Sequence, residues 1–81
     1  MKEYRGVKVG QIWEDTENGD PDFEVIAISE KGEITYRQYG QNETTDFSDF
    51  IDWAESNCFS PKGNHEGFWL TYFHNEMKGF K

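Results

Sequence analysis

The chain has 81 residues, a single cysteine and a formal net charge of −8 from 16 acidic and 8 basic side chains. That length makes one domain, residues 1–81, whose core must be dense to hold, and one cysteine excludes a disulfide framework and a cysteine-based zinc site. The acidity argues against direct contact with nucleic acid or an anionic membrane, because phosphate contacts need lysine and arginine, and it favours basic protein partners.

In chain order, the opening Met1-Lys2-Glu3-Tyr4-Arg5 is followed by no apolar run. The expectation is a cytoplasmic chain with neither signal peptide nor membrane span. Residues 7–14 alternate Val7, Val9 and Gln11 with Lys8, Gly10 and Ile12 before Trp13, which predicts a first strand with Gly10 as a bulge or kink. Residues 14–22, EDTENGDPD, follow with five carboxylates and no lysine or arginine. Asn18-Gly19 and Asp20-Pro21 are turn dipeptides, so this is an acidic loop, expected to be exposed and flexible. Phe23, Val25 and Ala27 alternate with Glu24, Ile26 and Ile28, the clearest strand in the chain. Lys31-Gly32 makes a hairpin turn, and Ile34, Tyr36 and Gln38 carry the return strand to Gly40.

The period then changes. Phe47, Phe50, Ile51 and Ala54 fall at i, i+3, i+4 and i+7, one face of a helix over residues 46–56. Thr45 or Asp46 is positioned to cap it. Asp49 and Asp52 lie opposite the apolar face, with Trp53 at its flank. Residues 60–64 read as a loop. Residues 68–73, FWLTYF, read as a last strand with aromatics on both faces, and 79–81 as a frayed end. Seven Phe, four Tyr and three Trp supply the bulk that the few aliphatics do not, so the core is aromatic.

The charge falls into blocks. Residues 1–9 sum to +2, 14–24 to −6, 25–42 to zero, 43–55 to −5 and 56–81 to +1. A surface that is merely soluble more often mixes the signs. A calcium loop is a poor match: counted from Asp15, Gly19 and Asp20 stand at positions 5 and 6, and Ile26 stands where a bidentate glutamate belongs. No metal and no cofactor is expected.

Catalysis finds little support. Cys58, His65 and His74 are the residue types of a nucleophile and a base, but their spacing matches no local motif. Cys58, near a helix end, reads as a packed small hydrophobe, His65 as an exposed loop residue and His74 as the end of a strand. There is no glycine-rich phosphate loop. The expectation is a protein that is not an enzyme.

Residues 7–15, VKVGQIWED, followed by FEVIAISEKGEITYRQYG, resemble small phage- and prophage-encoded proteins with an SH3-like barrel, over residues 7–40. The resemblance implies a small barrel-like sheet whose long first loop is the acidic one, and it transfers no functional residue. An acidic loop beside aromatics is also how peptide-binding SH3 domains dock basic, proline-rich ligands. Trp13, Tyr36 and Tyr39 are the aromatics such a platform would use.

The expected fold is α+β: a small twisted antiparallel sheet of about four strands, SH3-like, with one helix near 46–56 packed on it. The expected function is acidic, non-enzymatic protein binding, in the form of a phage-type inhibitor that mimics DNA and occupies a basic, nucleic-acid-binding surface of a host protein. The residues expected to bind it are Glu14, Asp15, Glu17, Asp20, Asp22, Asp46, Asp49, Asp52, Trp53 and Glu55. The alternative is an SH3-like peptide-binding module.

Overall fold

The computed structural model describes residues 1–78. The expected frayed end, 79–81, lies outside the described residues. The architecture is α+β: strands β1 (Glu3–Tyr4), β2 (Val7–Lys8), β3 (Ile12–Asp15), β4 (Phe23–Ile28), β5 (Ile34–Gln38) and β6 (Gln41–Thr45), helix α1 (Phe47–Ser56), strand β7 (Phe59–Pro61) and helix α2 (His65–Lys78). Among these, no helix is long and apolar enough to cross a membrane.

β1 and β2 form a small ribbon of their own, and the other five strands form one antiparallel sheet in the order β6-β5-β4-β3-β7. The expected sheet of about four strands is therefore one strand short, besides the ribbon. Its outer strands, β6 and β7, do not pair with each other, so the sheet stays open. The expected first strand is broken at Gly10, where the Gln11 N–H donates to the Lys8 carbonyl and turns the chain between β2 and β3. β6 arises because Tyr39 and Gly40 both adopt positive φ, 56° and 72°. Two such residues make the tight turn whose twist suits a hairpin, and the polar run after it returns along β5.

α1 buries the four residues that its period selects, Phe47, Phe50, Ile51 and Ala54. Asp46 occupies its N-cap position, but its side chain makes no capping bond. Its charge is left at the surface, contrary to the capping role expected for it or Thr45.

The largest departure is at residues 68–73, which are the middle of α2 and not a strand. Aromatic and β-branched content favours a strand by propensity, but propensity is a weak prior beside packing. Phe68 and Tyr72, four residues apart, point inward together and are buried, while Leu70 and Thr71 face out. That is a helical period. Phe68 meets Trp13 edge-on at 4.9 Å between ring centroids and stacks with Tyr72 at 6.1 Å.

Trp13 is the centre of the core. It is wholly buried, stacks with Phe23 at 5.7 Å and meets Phe50 edge-on at 5.3 Å. Its indole N–H donates to Gln11 Oε1 at 2.8 Å, so the one polar atom of the ring is satisfied.

Candidate functional site

The acidic loop is tied down at both ends of its turn. Asp15, last residue of β3, turns its carboxylate back onto the loop: Oδ1 accepts from the N–H of Glu17 (2.8 Å) and Asn18 (2.7 Å), and Oδ2 from that of Asp20 (3.3 Å). The expected flexible loop thus has an internal hydrogen-bonded frame, and one of its five carboxylates is spent on building it. The loop is also fastened to the chain just past α1. The Thr16 N–H and hydroxyl both donate to the Cys58 carbonyl at 3.0 Å, and Asn18 Nδ2 donates to the Asn57 carbonyl at 3.3 Å.

Burial pushes the Asp15 carboxyl up, but the backbone N–H groups of Asn18, Glu17 and Asp20 and the Asn18 side chain outweigh it and hold the group below the usual aspartate range. A folded-state pKa lowered in this way stabilises the fold above the unfolded chain's aspartate pKa, and the contribution disappears as pH falls through the lowered value. We expect the amides of Glu17 and Asn18 to lose hydrogen-exchange protection on acidification before the sheet does. Asp15→Ala should remove much of that protection at neutral pH, since it deletes the oxygen that accepts from both N–H groups. Equal protection in variant and wild type would show that Asp15 does not order the loop.

The fastening brings one carboxylate of each acidic block to a single groove. Thr16 and Glu17 of the loop, Glu55 of α1, Cys58, Ser60 of β7, and His65, Glu66, Trp69, Leu70 and Phe73 of α2 line one groove of about 560 Å³. Glu17 and Glu55, one from each block, stand on the same groove. Asp20, Asp22, Asp46, Asp49 and Asp52 are all exposed. Asp46 at the N-cap and Asp49, Asp52 and Glu55 of α1 follow at three-residue spacing, a series that winds round the helix by roughly 60° per step, and its last member, Glu55, lines the groove. Glu14 is engaged differently: its Oε2 lies 3.1 Å from His65 Nε2. Trp53 is half-buried, stacked on Tyr36 at 5.1 Å and packed against Phe23 and Phe59.

The aromatic platform of the alternative reading does not assemble. Trp13 is wholly buried, Tyr36 lies half-buried against Trp53, and Tyr39 is exposed at the tip of the β5–β6 hairpin.

Cys58 sits in a strained conformation, φ 61°, and its thiol donates to Glu17 Oε2 at 3.4 Å. That bond, then burial and the negative charges of Glu17 and Asp15, raise the thiol above the ordinary cysteine range. It stays protonated, which opposes nucleophilic chemistry. His65 is the first residue of α2 and half-buried, not a free loop residue, and His74 lies on α2 rather than at the end of a strand. His65 Nε2 faces the Glu14 carboxylate, which only accepts, so the tautomer that satisfies both contacts carries its proton there. Nδ1 then accepts from the Ser60 hydroxyl. This carboxylate–imidazole–hydroxyl line is absent from the sequence reading, as are Glu66, Trp69, Leu70 and Phe73. All depend on residues 65–78 being helical. The spacing of Phe68 with Tyr72, and of Trp69 with Phe73, was the available signal.

Comparison with protein-family models, with curated proteins and with solved structures finds no match to this chain.

Proposed function

We propose that the chain is a small acidic protein-binding module, a phage-type inhibitor that occupies a basic, nucleic-acid-binding surface of a host protein in the cytoplasm. The observation that carries this reading is the fastening of Thr16 and Asn18 to Asn57 and Cys58, with Glu17 of one acidic block and Glu55 of the other on one groove. Charge on a helix at three-residue spacing rises by about 4.5 Å per step, on the scale of the roughly 3.4 Å charge repeat of one DNA strand. A basic cleft that holds duplex DNA would meet a comparable field here. The strand path supports an open SH3-like sheet as the scaffold, with the long acidic loop first and β7 returning beside β3.

A non-enzymatic role is consistent with the groove's chemistry. Ser60 is 3% exposed, too enclosed to attack a substrate. Glu17, Glu55 and Glu66 around it would repel the oxyanion of an acyl-transfer transition state.

The test is a partner captured from bacterial lysate, identified by mass and then studied in isolation. The chain should displace duplex DNA from it, with an affinity that falls steeply as salt rises. Asp49→Lys with Asp52→Lys should weaken binding about tenfold or more while the thermal unfolding midpoint stays near that of the wild type, because both residues are exposed. An affinity indifferent to salt would rule the acidic surface out as the contact.

A further inference from the structure

Acidity alone does not describe the groove. Its α2 wall is apolar, made by Trp69, Leu70 and Phe73. Leu70 is 71% and Phe73 41% exposed, large apolar side chains left partly in water. Trp69 is fixed in place: its indole N–H donates to the Phe59 carbonyl at 3.2 Å and its ring stacks with Phe73 at 5.7 Å. The facing rim carries Glu17 and Glu55, and Glu66 adds a third carboxylate at the start of α2. A volume of about 560 Å³ holds a large side chain with room for its neighbours.

We propose that this groove receives an apolar anchor residue flanked by arginine or lysine, that is, a basic amphipathic segment of the partner protein. The proposal rests on the protein-binding reading above and specifies the chemistry of the segment that is bound. The apolar anchor covers Trp69, Leu70 and Phe73, and its flanking cations lie over Glu17, Glu55 and Glu66. Seating the anchor expels water, and the ion pairs beside it strengthen as the local dielectric falls. The three carboxylates oppose an acidic peptide, a nucleic acid or an anionic lipid surface in the same place. A polybasic segment without an anchor leaves the apolar wall wet.

Three short synthetic peptides of equal length test it by calorimetry against the full chain: one with arginines flanking a single leucine anchor, one with that leucine replaced by serine, and one with the leucine kept and the arginines replaced by glutamates. The first should bind, the second about tenfold or more weaker, and the third not at all. Leu70→Gln, at an exposed site, should keep the fold and weaken the first peptide toward the second while leaving the second unchanged. Equal binding of the first two, no effect of Leu70→Gln, or no binding of any peptide overturns the proposal. If the groove fails in this way while the captured partner still binds with a steep salt dependence, the acidic-surface reading stands by itself. If the partner's affinity is also indifferent to salt, both fall.

Discussion

Trp13→Ala should lower the stability of the chain by about 3–5 kcal/mol. Trp13 is fully buried and touches Phe23, Phe50, Phe68 and Trp69, so it joins β3 to β4, α1 and α2 at once. Truncating a large buried aromatic costs about 3–5 kcal/mol, because lost transfer energy is followed by a cavity that the surroundings only partly fill. Domains of this size are stable by only about 5–15 kcal/mol in total. The substitution therefore removes a large share of the margin. Urea unfolding followed by near-ultraviolet circular dichroism reads it directly: the midpoint should fall well below that of the wild type. Trp13→Phe keeps most of the ring volume and should fall in between. An unfolding midpoint for Trp13→Ala equal to the wild type would mean that the core is not organised around this residue.

Thr71→Pro should destabilise the chain by about 3 kcal/mol, where Thr71→Ala at the same site changes little. Thr71 is exposed in the interior of α2, so its side chain contributes little to packing. A proline there loses the N–H that the helix uses and clashes with the carbonyl four residues earlier. Phe68 and Tyr72, on either side of the break, would lose the alignment that sets them over the core. The helical far-ultraviolet signal should fall together with the unfolding midpoint. Coincident unfolding curves for the proline and alanine variants would show that residues 65–78 are not helical.

That second result bears on how much of the molecule could be read from its residues. α1 was legible because it has one face against the core and one in water, and β4 was legible as a strand for the same reason as far as Val25, beyond which a register shift turns Ala27 out and Ile28 in, against the alternation expected. Residues 68–73 also have an inner and an outer face, but Leu70 and Phe73 put large apolar side chains on the outer one, so the sequence shows no contrast. Trp69 is partly buried and Phe73 exposed, and contacts far away in sequence, Phe68 with Trp13 and Tyr72 with Phe47, mark the rings that point inward. β7 was hidden for a related reason: Phe59, Ser60 and Pro61 are all buried, so no alternation marks a strand. The acidic residues could be named in advance, but their meeting could not. It depends on Thr16 and Asn18 finding the backbone of Asn57 and Cys58, a contact across about forty residues that no local pattern encodes. The groove was invisible because one of its walls is the helix that read as a strand.

β6 is one of the two outer strands of the sheet, and an outer strand is a template on which another chain can assemble. Its five side chains, Gln41 to Thr45, are polar, and Glu43 is the middle one. A second copy aligned antiparallel about that centre would set Glu43 against Glu43, two like charges on adjoining strands. Any such sheet-to-sheet stack would also have to bring together two molecules of net charge −8. The chain is therefore guarded against fibre growth at this edge, and a substitution of Glu43 by valine would weaken that guard without touching the groove.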